Sequence, residues 1–338
     1  MARRFLIGLA ACATLLAPTL ASAGPTLDAI KERGSLRCAV NTGLLGFSAP
    51  DSKGRWNGID ADFCRAVAAA ILGDPEKVQY VATNAQNRFT VLQAGEADML
   101  SRNTTWTSSR DATLGSVFAG VLFYDGQGFM VPKKLGVKSA KELDGATVCV
   151  QPGTTTELNV SDYFRSNKMN FKPVVIAELN QIEQAFFAGR CDVYTTDISG
   201  LAATRLKAPN KDDYVILPEA ISKEPLGPMV RRGDWEFFTI VKWTLFGLLE
   251  AEEMGVTKAN VDAKKGEAGN NPPLQRLLGL SGDAGKGLGL DNDWMVRAIK
   301  AVGNYGEMYE RNIGPLGIPR GLNAQWTQGG LMYAPPIR

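Results

Sequence analysis

Residues 88–98 read RFTVLQAGEAD and residues 182–192 read IEQAFFAGRCD. Each is an amphipathic helical run that closes on Ala-Gly, and glycine just past a helix end takes the left-handed turn that L-residues resist. Each is followed by an Asp and a short strand, MLS in the first copy and VYTT in the second. Five residues beyond Asp98 stands Asn103, and five beyond Asp192 stands Asp197. Upstream, GSLRCAVN from Gly34 and GATVCVQP from Gly145 match in form as well. A strand–helix–strand plan written twice restricts the chain to two similar α/β lobes. Ligands of such open sheets bind beyond the carboxyl ends of the strands.

The two strand ends differ in charge. In the first copy the chain leaves its strand through Ser101-Arg-Asn-Thr-Thr-Trp-Thr-Ser-Ser-Arg110, a loop of short hydroxyl and amide side chains ending in a guanidinium. A planar fork plus neutral donors is the equipment for gripping a small carboxylate. In the second copy the corresponding position is the acid Asp197. A cleft with Arg110 on one wall and Asp197 on the other suits a zwitterion.

The 338 residues allow two or three domains. Ala2-Arg3-Arg4, an apolar run over 5–20 and Ala21-Ser22-Ala23 form a secretory leader, with cleavage expected after Ala23. Leu9-Ala-Ala-Cys12 is the competing lipobox, disfavoured because only eight residues precede it and the apolar run continues past it. No later stretch reaches eighteen uninterrupted apolar residues. Loss of Arg3 and Arg4 lowers Lys+Arg from 37 to 35, equal to the 35 Asp+Glu. A neutral chain offers no footprint for nucleic acid or an anionic membrane.

Removing Cys12 leaves Cys38, Cys64, Cys149 and Cys191, an even set in an exported chain. In a flavodoxin-like strand order Cys149 and Cys191 fall on neighbouring strands of one lobe, and Cys38 sits under the helix that carries Cys64. Bridges Cys38–Cys64 and Cys149–Cys191 are therefore expected, with four buried thiols as the alternative. The chain has no histidine, which removes Ser–His–Asp triads, Cys–His pairs and His-ligated zinc. No cofactor, metal or catalytic residue is assigned.

Along the first lobe we expect a strand over 36–40 and a loop over 41–51. Ile59, Phe63, Val67 and Ile71 then make a helical stripe, with Asp60 and Asp62 at its favourable end for negative charge. A strand over 78–81 follows, and 121–131 is an extended crossing between lobes. The second lobe has strands over 147–151 and 171–176. Between them, Pro152-Gly153-Thr154-Thr155-Thr156-Glu157 opens a helix, with Thr154 and Glu157 spaced as a capping box. Free N–H groups at Gly153, Thr154 and Thr155 can bind an anion. Neither this loop nor Gly285-Lys-Gly-Leu-Gly carries a phosphate-loop lysine after a strand. Residues 214–217 lead back, the chain is helical from Asp234, Gly/Asn/Pro-rich over 266–290, and helical over 294–311. This last part is an elaboration of the first lobe.

The motifs Gly58-Ile-Asp-Ala-Asp-Phe-Cys, Ala94-Gly-Glu-Ala-Asp98, Thr104-Thr-Trp-Thr-Ser-Ser-Arg110, Asp125-Gly-Gln-Gly-Phe, Gln151-Pro-Gly-Thr-Thr and Gly189-Arg-Cys-Asp-Val-Tyr-Thr-Thr-Asp197 together resemble the periplasmic polar amino-acid-binding proteins of ABC importers, the bacterial solute-binding family 3. Gly285-Lys-Gly-Leu-Gly-Leu and Asn304-Tyr-Gly-Glu-Met-Tyr resemble its general L-amino-acid-binding type. The resemblance covers roughly residues 34–333. It implies a type II two-lobed α/β fold with a two-segment hinge: leader 1–23, first lobe 24–125 and 221–338, second lobe 126–220. It implies that Arg110 takes the ligand α-carboxylate, helped by Thr105 and the Thr155 amide. Asp197 would take the α-ammonium, with acceptors at Asn103 and Thr105. Leu44 stands where narrower relatives stack an aromatic ring, a departure that bears on selectivity. Arg88 lies near a position that elsewhere meets the ligand side chain. Trp56 and Trp106 are read as packing residues.

The implied function is capture of L-amino acids by lobe closure in the periplasm, with broad specificity and polar or acidic ligands favoured. Delivery is to an inner-membrane ABC permease and its ATPase by a monomer. A dehydratase on the same fold is the alternative, with Glu157 or Asp197 as general acid. A ligand-presenting sensory protein is a third.

Overall fold

The structure, a computed structural model, describes residues 24–338. The leader, its cleavage point and Cys12 lie outside the described residues.

Two five-stranded sheets share one topology. In the first, the order is Val78–Thr83, Leu36–Asn41, Met99–Leu100, Met229–Arg231, Ser116–Phe118. The first three are parallel, and Met229–Arg231 joins antiparallel to both neighbours. In the second, the order is Lys172–Val175, Thr147–Val150, Val193–Asp197, Gln127–Pro132, Tyr214–Ile216. Again the first three are parallel, and the fourth, Gln127–Pro132, joins antiparallel to both its neighbours. The repeated Ala-Gly-x-x-Asp plan becomes the helices Arg88–Gln93 and Leu179–Phe187 that feed Met99–Leu100 and Val193–Asp197. This is the two-lobed type II α/β architecture.

The 121–131 crossing is a crossing. Its first part, Phe123–Asp125, pairs antiparallel with Glu224–Leu226, Asp125 opposite Glu224 and Phe123 opposite Leu226. Its second part, Gln127–Pro132, enters the second sheet. The two-stranded ribbon is the hinge between the lobes.

Cys38 lies on a central strand and Cys64 on the Ile59–Leu72 helix above it, bonded at a Cα–Cα distance of 6.2 Å; Cys149 and Cys191 are bonded at 5.6 Å. All four are buried. The Ile59–Leu72 helix is buried nearly all round, beyond the single stripe its spacing suggested. Its small residues, Ala66 and Ala68–Ala70, let the C-terminal helix Trp294–Val302 pack closely against it.

The expected helix over 294–311 is broken into Trp294–Val302 and Tyr305–Asn312. Gly303 turns the chain at φ +81°, and Asn304 and Glu307 form a capping box that starts the second helix. The Gly/Asn/Pro-rich stretch is also more ordered than its composition suggests, containing the helix Pro272–Leu277 capped by Asn271. Arg311 and Asn312 reach back to buried Asp62 at 2.6 and 2.7 Å, fastening the C-terminal segment to the first lobe. Trp56 packs on Tyr80 and Trp106 stacks on Phe118, as packing residues do.

Candidate functional site

The first wall is the loop that leaves Met99–Leu100. Asn103 has φ +23°, which costs a side chain energy unless the surroundings hold it. Asp60 holds it: one carboxylate oxygen accepts the Asn103 N–H at 2.8 Å, the other the Ser101 hydroxyl at 3.1 Å. The sequence shows Asp60 only as a helix-dipole residue; its burial pushes its carboxyl up to about 6, against the pull of these two donors and Arg102. Asn41 donates to the Asn103 side-chain oxygen at 3.0 Å, turning the Asn103 amide nitrogen outward. Next in the chain, Thr104 to Trp106 is zipped to the hinge: Gly227 N–H donates to Thr104, and Trp106 N–H donates to Pro225 at 2.8 Å.

The second wall starts at the helix Thr155–Ser166. Thr154 caps it, its hydroxyl accepting the Glu157 N–H at 3.1 Å. The expected capping box is displaced by one residue, because Glu157 reaches back to the Gly153 N–H, at 3.0 Å, and not to that of Thr154. The first-turn amides of Thr155 and Thr156 have no intrahelical carbonyl to bond, as in any helix. Asp197 ends the strand Val193–Asp197 and is 6% exposed. Burial, then Asp125 and Glu224, pushes its carboxyl well above the usual range, while Asn103 and Arg88 oppose this.

The walls meet. The Asn103 amide approaches Asp197 at 3.5 Å, the Thr105 and Thr155 hydroxyls stand 3.2 Å apart, and Arg88 donates to the Gly153 carbonyl at 3.4 Å. At the rim Asn84 donates to Glu178 at 2.8 Å and Lys207 to the Gly43 carbonyl at 3.1 Å. This is a closed cleft. The space left inside is about 30 Å³, room for about one water, so a solute enters only when the lobes part.

Of the residues singled out in the sequence, Arg88, Asn103, Thr105, Thr154, Thr155 and Asp197 line this space. Three do not. Arg110 stands behind the wall, its Nη1 donating to the Thr105 carbonyl at 2.8 Å and its guanidinium over the Phe89 ring at 5.2 Å. Gly153 has given its N–H to Glu157, and its φ of +73° makes the turn that sets Thr154 in place. Leu44 is buried in the first lobe's core, where its carbonyl accepts the Ser48 N–H in a tight turn.

Three residues escaped sequence reasoning: Arg102, Asp60 and Glu224. Arg102 lines the cleft, with Nε donating to the Thr83 carbonyl at 3.0 Å, and burial lowers its cation to about 10. Arg88 is 3% exposed, and its Nε is buried with no partner among the described residues. Burial, then Arg102 and Arg110, lowers the Arg88 pKa, and Asp197 opposes. A guanidinium cluster thus faces an acid across a closed cleft. A larger hollow of about 420 Å³ beside Lys133, Phe187 and Tyr214 contains none of these residues.

Residues 36–259 match the family described as bacterial extracellular solute-binding proteins, family 3. The chain is 55% identical, over the full length of both, to the general L-amino acid-binding periplasmic protein AapJ of Rhizobium johnstonii. It is 56% identical, again over the full length of both, to the glutamate/glutamine/aspartate/asparagine-binding protein BztA of Rhodobacter capsulatus. Among solved structures, a periplasmic binding protein of an ABC transporter from Brucella ovis, with glutathione bound, is 56% identical. It superposes with a TM-score of 0.90, covering 93% of this chain and 99% of that one. A match over most of both sheets, and relatives alike from end to end, leave one reading: this chain belongs to family 3 of the bacterial extracellular solute-binding proteins.

Proposed function

We propose that this protein captures L-amino acids outside the cytoplasm and hands them to an inner-membrane ABC permease and its ATPase. Segments 24–125 and 221–338 would form one lobe and 126–220 the other, the leader being cleaved after Ala23 and the mature protein acting as a monomer in the periplasm. The observation that carries the reading is the meeting of Asn103 and Thr105 with Asp197 and Thr155 across the cleft. An amino acid can touch both walls only if the lobes close on it, and differential contact is what shifts a hinged protein toward closure.

Asp197 would hold the α-ammonium with the Thr105 hydroxyl and the backbone carbonyl of Asn103, whose side-chain oxygen is already taken by Asn41. The α-carboxylate would lie toward Arg110, the backbone N–H of Thr105 and the amides that open the Thr155–Ser166 helix, which Gly153 and Thr154 set in place. Arg88 and Arg102 favour polar or acidic side chains. Leu44, from within the core, would shape the adjoining loop and through it selectivity. Relatives 55–56% identical are named as binding proteins, and this supports a role without catalysis. The glutathione in the Brucella ovis structure supports including γ-glutamyl peptides, whose free α-amino and α-carboxylate head offers the same two charges.

The test is calorimetric titration of ligand-stripped protein with the L-amino acids, their D-forms and glutathione. Micromolar affinity, about 8 kcal/mol, is expected for several L-forms. Asp197→Asn, which keeps shape and removes charge, should weaken these by at least a hundredfold. Unchanged affinity in that variant would overturn the assignment of the ammonium site.

A further inference from the structure

Glu224 is 1% exposed, lies on the hinge strand and accepts four hydrogen bonds. One carboxylate oxygen takes the hydroxyl protons of Thr105, at 2.5 Å, and Thr155, at 2.9 Å. The other takes the Asn159 amide at 2.8 Å and the Ser222 hydroxyl at 2.5 Å. Thr105 belongs to the first wall and Thr155 and Asn159 to the second. We propose that Glu224 is a positioning residue that fixes the polarity of both threonine hydroxyls and joins the two walls to the hinge when the cleft is closed.

An ionised carboxylate only accepts, and a hydroxyl has one proton and two lone pairs. With their protons committed to Glu224, Thr105 and Thr155 can show the cleft only lone pairs. They are then acceptors for a cation and cannot donate to an anion. If the cleft takes an amino acid, as proposed above, the hydroxyls add to the ammonium site beside Asp197. The carboxylate is left to backbone N–H groups and guanidinium.

The same node couples polarity to closure. Thr104 to Trp106 is zipped to residues 225–227, so the Thr105 contact travels with the hinge strand. The Thr155 and Asn159 contacts come from the other lobe and must stretch when it swings away. Closure therefore assembles the acceptor pair, and opening releases one member of it.

The test uses three probes: L-glutamate, glutarate, which lacks the ammonium, and 4-aminobutyrate, which lacks the α-carboxylate. Wild type should bind glutamate far more tightly than glutarate. If it binds no amino acid at all, the functional reading falls and this inference with it. Given wild-type binding, Glu224→Ala frees the hydroxyls to turn, and the glutamate-to-glutarate affinity ratio should drop about tenfold or more.

Thr155→Val, an isosteric change, should lower glutamate and 4-aminobutyrate binding while sparing glutarate, and it keeps the test open if Glu224→Ala does not fold. Glu224→Gln, which retains an acceptor oxygen for the threonine pair, should restore most of the ratio. Equal losses for all three probes in Glu224→Ala, or an unchanged ratio in Thr155→Val, would overturn the inference while leaving amino-acid binding intact.

Discussion

A buried carboxylate next to a strained residue has to serve two masters, and Asp60 shows the cost. It must accept the Asn103 and Ser101 donors to hold the first wall, yet burial works against its charge. Its carboxyl, raised from 3.8 to about 6, keeps its proton in the folded protein at a pH where the unfolded chain has released it. Folding thus binds protons between roughly pH 4 and 6, and stability falls as pH rises through that window. The cost is on the order of 3 kcal/mol by pH 7. Asp60→Asn can offer its oxygen to Asn103 and its amide to the Ser101 hydroxyl, and it does not titrate. Denaturant unfolding of the ligand-free protein from pH 4 to 7 should show wild type losing about 3 kcal/mol relative to this variant. Parallel stability curves would mean that Asp60 stays ionised beside Arg102. Positioning residues of this kind also set the limit of what sequence showed at this scale. Asp197 and Asn103 stood out because a repeat put them at matching strand ends. Asp60 and Glu224 sit on a helix first turn and a short hinge strand, where acids are ordinary, and only tertiary contact reveals what they hold.

At the scale of elements, the strands, the crossing and the disulfides were legible because each has a local signal. Alternation of strand and helix placed Cys149 and Cys191 on adjacent strands; Val193–Asp197 does pair with Thr147–Val150, and Cys191 stands two residues ahead of that strand. The break at Gly303 was legible in principle: glycine followed by Asn304, with Glu307 three residues on, is a stop and a new start. The apolar periodicity of the flanking helices runs across it and masks it. Burial of the Ile59–Leu72 helix on several faces was not legible, since its second partner lies far along the chain. The disulfides permit a prediction here. Closing loops of 26 and 42 residues removes denatured-state entropy worth roughly 3.5–4 kcal/mol each. Replacing Cys149 and Cys191 together by Ala should lower unfolding free energy by about that much in urea titrations, with ligand affinity near wild type, because the bridge lies within one lobe and neither cysteine lines the cleft. A loss of affinity equal to the loss of stability would show that the bridge also sets the position of Asp197.

At the scale of the whole molecule, two lobes are joined by a ribbon and touch again at the rim of the cleft, where a contact adds to whatever holds the closed form. Glu178 precedes the helix Leu179–Phe187 without capping it, and its carboxylate accepts from Asn84 of the opposite lobe. It therefore links the lobes with little structural duty in its own. Such a bond at a wet edge contributes about 0.5–1.5 kcal/mol, or roughly two- to tenfold in the closed-to-open equilibrium. A ligand that binds across both walls inherits that factor, since its affinity is scaled by the fraction of protein able to close. Glu178→Ala should weaken every cleft ligand by the same two- to tenfold factor, chiefly through faster dissociation, and leave the ligand-free unfolding curve unchanged. The contrast with the cleft residues is the informative part: a substitution at Asp197 or Thr155 should sort ligands by their charged groups, whereas a substitution at the rim cannot distinguish them. Stopped-flow dissociation of glutamate and glutamine from the Glu178→Ala variant measures both at once. Unequal effects on the two would place Glu178 among the residues that recognise the side chain, and an absence of effect would mean that closure is held from within the cleft and the hinge alone.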